Sequence, residues 1–174
     1  MKDKIKTLIS EEKLQERIKE IAEEIKKEYN DEEVVFCCVL KGAVFFTVDL
    51  MKKYDGDCSI NFIRVSSYEG ENSTGNITLK IPLKKEHVEN KNIVVVEDIV
   101  DTGRTFNYLM SYIKEMNPKS VKSCVLLDKK ARRVIDFEAD YVGFSIEDLF
   151  VVGYGHDYVE KYRNLPYVGY VEND

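Results

Sequence analysis

The sequence predicts an α/β fold whose central, mostly parallel sheet is flanked by helices. Three observations predict it. Short apolar runs rich in β-branched residues, such as 34–40, 93–96 and 121–127, read as strands buried on both faces. Segments with apolar residues at helical spacing alternate with them. The stretch 93–105 runs from one such strand through two acids into a glycine-containing turn that opens a helix. This alternation argues for parallel strands joined by right-handed crossovers.

Taken in order, Ser10 is placed to cap a helix whose first turn holds Glu11 and Glu12, favourable against the helix dipole. Leu14, Ile18, Ile21 and Ile25 share one face, and Asn30-Asp31 ends the helix. Residues 34–40 form a strand, Lys41-Gly42 punctuates it, and 43–53 read as helix. A second β-rich stretch covers 58–65. Residues 66–76 are polar without an apolar period, and 77–81 read as a returning strand. A long hairpin loop is therefore expected, and loops of this length are often functional lids.

After the 93–96 strand, Phe106, Leu109, Met110, Ile113 and Met116 form a helical stripe suited to a core. Asn117-Pro118 stops that helix. Strands are expected at 121–127, 141–144, 150–151 and 165–171. No repeat, low-complexity segment or linker divides the chain, so 1–174 is read as a single domain.

Composition narrows the function. A chain of 174 residues with 44% hydrophobic residues builds a genuine core and is not disordered. Net charge is −6, and the only compact basic cluster is Lys129, Lys130, Arg132 and Arg133, read as solvated apart from Lys129. Nucleic acid is therefore not expected as a partner. No apolar stretch approaches a membrane span, and the N-terminal MKDKIKTLIS is too charged for a signal peptide. The four cysteines form no C-x-x-C pair; Cys37, Cys38 and Cys124 lie in apolar runs and read as core residues in a reduced, cytoplasmic protein. Two histidines, His87 and His156, are too few for a His-rich zinc site.

The chemistry concentrates at 97–105. Glu97 and Asp98 emerge at the C-terminal end of a buried strand, where open α/β sheets bind ligands. Asp101-Thr102-Gly103-Arg104-Thr105 offers backbone N–H groups and two hydroxyls at a helix N-terminus, an anion site. Together they suit a sugar diol, a phosphate and a divalent cation.

This pattern resembles the phosphoribosyl pyrophosphate signature of the type I phosphoribosyltransferases. Four stretches narrow the resemblance to the bacterial hypoxanthine-guanine phosphoribosyltransferases: Leu40-Lys41-Gly42, Ser66-Ser67-Tyr68, residues 97–105, and the run from Leu127-Asp128-Lys129 through residues 150–167. It extends from about Leu8 to Val171. The resemblance implies the type I phosphoribosyltransferase fold, with a small hood built from terminal segments. It implies magnesium-dependent purine salvage, in which hypoxanthine or guanine and phosphoribosyl pyrophosphate give IMP or GMP and pyrophosphate. Homodimers or homotetramers are expected.

The roles it implies are these. Glu97 and Asp98 hold ribose hydroxyls and metal, and Asp101 is the general base. Capping the helix near Arg104 is the plainer alternative for Asp101. Thr102, Gly103, Arg104 and Thr105 cradle the 5-phosphate. Lys41 and Gly42, after a peptide bond that can be cis in the family, contact pyrophosphate, as does Arg163. Lys129 donates to the purine 6-oxo group, Phe150 stacks on the base and Val151 meets its edge. Asp157 serves the base edge and, through water, a second magnesium. Ser67 and Tyr68 belong to a lid.

The chain departs from the bacterial pattern at Lys130, where proline is common, and at His156, where leucine is common. His156 is expected to be exposed and without a role; the alternative is an effect on pocket polarity. Two other functions remain open: the same transfer to xanthine, uracil or orotate, and a nucleotide-sensing regulator that binds RNA or DNA. The acidic balance argues against the second.

Overall fold

Strand β2 (Val34–Val39) is buried at every position, and its residues divide between two cores. Val34 and Phe36 join one, while Val35, Cys37 and Val39 join the other. Successive strand side chains point to opposite faces, so a strand covered on both sides must feed two cores. Strand β5 (Asn92–Val100) does the same, sending Val94 and Val96 to the first and Ile93 and Val95 to the second. The structure is a computed structural model that describes residues 5–67 and 77–171.

Six strands form the central sheet in the order β4-β3-β2-β5-β6-β7, with β3 at Cys58–Ser67, β4 at Ile77–Ile81, β6 at Ser120–Asp128 and β7 at Tyr141–Ser145. All pair in parallel except β4, which returns antiparallel to β3 as the hairpin reading expected. Helices α1 (Glu11–Tyr29) and α2 (Val44–Lys53) cover one face, and α3 (Arg104–Lys114) covers the other.

Helix α1 starts and stops where its sequence signals lie. The Ser10 side chain accepts from the Lys13 N–H, and the Asn30 N–H closes the last turn on the Lys26 carbonyl. Asn30 takes φ 53°, a left-handed conformation that asparagine tolerates better than most residues. The expected α3 stripe is buried at Phe106, Leu109, Met110 and Ile113; Met116 packs on the same core from beyond the helix end. No described helix is long and apolar enough to cross a membrane.

A second sheet, in the order β1-β9-β8, joins the two ends of the chain. Its strands are β1 (Ile5–Ile9), β9 (Val168–Val171) and β8 (Val151–Val152), all antiparallel. This is the expected hood. Strand β1 carries no strand signal in the sequence, because most of its side chains are only partly buried or exposed. Its ladder with β9, more than 150 residues away, makes it a strand.

One boundary differs with consequence for the site. Strand β5 continues through Val100, held by β6 as far as the Val100–Asp128 pair. Glu97 and Asp98 therefore lie within the strand and not at its end.

The edge of β7 is tied to β6 by Asp140. Its carboxylate accepts from the Ser123 N–H at 2.8 Å and from the Ser123 hydroxyl at 2.6 Å, while the Ser123 Oγ accepts from the Asp140 N–H at 2.8 Å. Burial alone would raise this carboxyl, but the Ser123 hydrogen bonds and Lys122 hold it below its ordinary value of 3.8. A depressed folded-state pKa contributes stability above the unfolded value, and that contribution is lost as pH falls through the folded one. Asp140→Ala should cost about 2 kcal/mol near neutrality, roughly 4–8 °C in melting temperature. Melts from pH 6 to pH 3 should show the gap to wild type closing; a gap independent of pH would refute the ionic origin.

Candidate active site

Two adjoining cavities open along the C-terminal edge of the parallel strands, the edge at which open α/β sheets bind ligands. The first, about 350 Å³, is lined by Glu97, Asp101, Thr102, Gly103, Thr105 and Arg132 among others. The second, about 310 Å³, is lined by Asp98, Asp101, Lys129, Arg132, Phe150, Val151, His156 and Asp157 among others. Asp101, Ile99 and Arg132 line both.

The first cavity is built around the N-terminus of α3. Gly103 takes φ 82° and caps α3 without a side-chain hydrogen bond. A Cβ there would lie 3.0 Å from both Arg133 Cδ and Ile135 Cγ1, so glycine answers both the dihedral and the space. Amides of a helix's first turn have no intrahelical acceptor and carry the positive end of its dipole. Arg104 is exposed and lines neither cavity.

This turn is fastened from behind by the β6–β7 connection. The Val134 N–H donates to the Thr102 carbonyl and Arg133 Nε to the Asp101 carbonyl, both at 3.2 Å. Arg133 also pairs with Asp128, which is 2% exposed, and donates to the Phe137 carbonyl. The sequence reading of Arg133 as solvated is therefore wrong. A buried aspartate at the end of β6 needs a cation, and the connection folds back to supply one.

The acids lie between the two cavities. Glu97 Oε1 accepts from the Asp98 N–H at 3.1 Å, and Asp98 Oδ1 from the Ile99 N–H at 3.0 Å. Burial, and then the Asp98 carboxylate beside it, push the Glu97 carboxyl well above its usual range. Gly42 packs directly on Asp98: a Cβ at Gly42 would lie 1.8 Å from Asp98 Oδ2. The preceding Leu40–Lys41 peptide is cis.

His156 is 5% exposed, which overturns the expectation of a surface histidine. Its Nδ1 lies 3.0 Å from the Gly153 carbonyl, its Nε2 lies 3.8 Å from Asp98 Oδ2, and that Nε2 has no hydrogen-bond partner. The turn that buries it runs through Gly153 and Gly155 at φ 91° and 99°, and a Cβ at Gly155 would meet the Gly42 carbonyl at 2.0 Å. Nothing in the sequence beside His156 signals this close backbone crossing.

In the second cavity Lys129 is almost fully buried, with Nζ 3.6 Å from Asp101 Oδ1 and 3.7 Å from Asp148 Oδ1. Asp101 Oδ1 is enclosed yet accepts no hydrogen bond. Phe150 is 57% exposed and meets Tyr158 edge-on, which leaves ring surface available. Asp157 Oδ1 lies 2.8 Å from Arg163 Nη2, and Lys41 Nζ lies 3.0 Å from Glu160 Oε2. Lys41 and Arg163, both within 3.5 Å of Glu160 Oε2, thus converge on one small region beside the second cavity. Tyr68 lies outside the described residues, as does the side chain of Ser67 at the end of β3.

Comparison with known proteins is consistent with this layout. The family model for the phosphoribosyl transferase domain matches residues 6–159. A hypoxanthine-guanine phosphoribosyltransferase from Aquifex aeolicus is 44% identical over 172 residues, 98% of this chain and 96% of that one. The chain belongs to the phosphoribosyltransferase family, in its hypoxanthine-guanine branch. The crystal structure of a hypoxanthine-guanine phosphoribosyltransferase from Bacillus anthracis, with a HEPES molecule in its active site, superimposes with a TM-score of 0.90 at 44% identity, covering 98% of this chain and 99% of that one. The chain is also 48% identical over 165 residues, 94% of its length, to the bifunctional protein TilS/HprT of Listeria monocytogenes, and spans a quarter of that longer protein.

For a phosphoribosyltransferase the acids pose a question of metal fit. Among the described residues no group of three His, Cys, Asp or Glu side chains is arranged to hold an ion, so Glu97, Asp98 and Asp157 form no common cage. The crowded Glu97-Asp98 pair fits a cation that takes most of its oxygens from substrate and few from protein, as magnesium does. From sequence Arg132 and Arg133 read as solvated, His156 as a surface residue with an effect on the pocket as the alternative, and Glu160 carried no reading. Two of these stand in the basic cluster at 129–133, which was the available signal.

Proposed function

We propose that this chain transfers the 5-phosphoribosyl group from phosphoribosyl pyrophosphate to hypoxanthine or guanine, giving IMP or GMP and pyrophosphate. One observation carries the reading: Asp101 lines both the cavity at the N-terminus of α3 and the pocket that holds Lys129 and Phe150. A reaction that joins a phosphorylated sugar to a base needs its proton acceptor at that junction.

In this reading the Thr102–Thr105 amides and hydroxyls bind the 5-phosphate. Glu97 and Asp98 hold the ribose hydroxyls, and Lys41, Gly42 and Arg163 bind the diphosphate. The purine stacks on Phe150, receives a hydrogen bond from Lys129 at its 6-oxo group, and sets its edge against Val151 and Asp157. Asp101 accepts the imidazole-ring proton as the ring nitrogen attacks the anomeric carbon and the carbon–oxygen bond to diphosphate breaks. Its Oδ1, free of hydrogen bonds, suits that task. Magnesium held by Glu97 and Asp98, with Asp157 reaching a second ion through water, would neutralise charge on the departing diphosphate.

The setting proposed is a single catalytic domain in a reducing cytoplasm, which suits four free cysteines. Exposed Phe45 and Val48 on α2 and Phe62 on β3 favour self-association as a dimer or tetramer. Nucleic acid has no place in this reading.

Purified protein with magnesium and phosphoribosyl pyrophosphate should release pyrophosphate when given hypoxanthine or guanine. Uracil and orotate, offered in competition, should be poor substrates, and the same competition ranks xanthine against hypoxanthine and guanine. Absence of turnover with every 6-oxopurine would end the proposal, and turnover without added magnesium in the presence of a chelator would remove the metal from it.

A further inference from the structure

The segment after β8 places a negative charge where the proposed reaction needs an anion to bind. Glu160 Oε2 lies 3.0 Å from Lys41 Nζ and 3.5 Å from Arg163 Nη2. Lys41 comes from the β2–α2 turn, 119 residues before Glu160. Both cations are the ones assigned to diphosphate above, and one carboxylate bridges them.

The bridge is held in place. Tyr158 and Lys161 exchange backbone hydrogen bonds at 3.0 Å each way, which sets Val159 and Glu160 at a tight turn. The Glu160 N–H donates to Asp157 Oδ2 at 2.8 Å, and Asp157 Oδ1 in turn faces Arg163 Nη2. Arg163 Nη1 donates to the Gly155 carbonyl at 2.6 Å, so the guanidinium is anchored whether or not Glu160 stays. The Glu160 side chain itself is 65% exposed, and nothing buries it there. Lys41 also holds its carboxyl below the ordinary range, so it is ionised at neutral pH.

We propose that Glu160 is a built-in stand-in for diphosphate, a carboxylate that bridges Lys41 and Arg163 in the ligand-free chain and is displaced when diphosphate binds. The inference rests on the reading of Lys41 and Arg163 given under Proposed function. Its physical content is competition. A diphosphate carries more charge than a carboxylate and wins, but by less than it would against solvated cations. Release of diphosphate is correspondingly eased, because the carboxylate returns to the two cations as the product leaves.

The test is pyrophosphate binding, measured by calorimetry in the presence of magnesium, for wild type, Glu160→Gln, Lys41→Gln, Arg163→Gln and the Glu160→Gln/Lys41→Gln double variant. Glu160→Gln should bind pyrophosphate about 3- to 10-fold more tightly, the scale of one or two exposed ion pairs. The gain should shrink when Lys41 is also replaced, because only the Arg163 pairing then remains to be relieved. Binding of inorganic phosphate at the Thr102–Thr105 turn should not change. Unchanged or weaker pyrophosphate binding in Glu160→Gln would overturn the stand-in. If Lys41→Gln and Arg163→Gln both leave pyrophosphate binding intact, the assignment of those cations fails instead, and the two failures are told apart.

Discussion

Asp101→Asn should lower turnover by about 10²- to 10⁴-fold, the usual worth of a positioned general base. Asparagine keeps the size and most of the hydrogen-bonding shape of aspartate but accepts a proton far more weakly. Asp101 Oδ1 is enclosed and accepts no hydrogen bond, and the Lys129 ammonium, a donor, lies 3.6 Å from it. Asp148 also faces Lys129, at 3.7 Å, so the lysine keeps one carboxylate after the substitution and should stay in place. Saturating initial rates, set beside direct binding of IMP, check this: the rate should collapse while nucleotide still binds. An unchanged rate would remove Asp101 from the base role and leave it only as a charge partner of Lys129.

Gly42→Ala is the second large effect, and its origin is purely spatial. The new Cβ would lie 1.8 Å from Asp98 Oδ2 and 2.5 Å from Asp98 Cγ, far inside contact distance. Either the carboxylate rotates away or the β2–α2 turn retreats. The turn has little room, because Gly155 is packed on the Gly42 carbonyl from the other side. A displacement of about 1 Å at a reacting centre costs on the order of 100-fold in rate. We expect kcat/KM for phosphoribosyl pyrophosphate to fall by about that factor, with pyrophosphate affinity falling too. Thermal melts should change little, since Gly42 contributes no side chain to either core. Wild-type kinetics in this variant would show that the Asp98 carboxylate can leave its present position without consequence.

These two residues illustrate what a sequence shows and what it does not. The role proposed for Asp101 came from the resemblance alone, and position in the sequence left helix capping open beside it; the structure adds that Asp101 lines both cavities. Gly42 read as punctuation after a strand, and the resemblance placed it against pyrophosphate; neither reading reached its contact with Asp98. Its packing on Asp98 depends on β2 and β5 lying side by side in register, Cys38 opposite Val96. His156 was misread for the same kind of reason. Its neighbours in sequence include two glycines and an aspartate, which suggest an exposed turn, yet that turn is pressed against the β2–α2 loop and buries the ring. Arg133 was misread because its partner, Asp128, counts as a strand end in sequence and as a buried charge in space. Strand β1 was missed because its evidence lies in β9.

The sequence by itself determined the alternation of strands and helices, the caps of α1, the glycine turn that opens α3 and the chemical character of residues 97–105. All of these follow from interactions among residues a few positions apart, where periodicity, capping and backbone sterics act. Only the tertiary structure decided that Lys41 meets Glu160, that Arg133 braces the Asp101 turn, and that His156 is enclosed beside Asp98. Those contacts join segments separated by tens of residues or more, and strand order and register, not local propensity, bring such segments together.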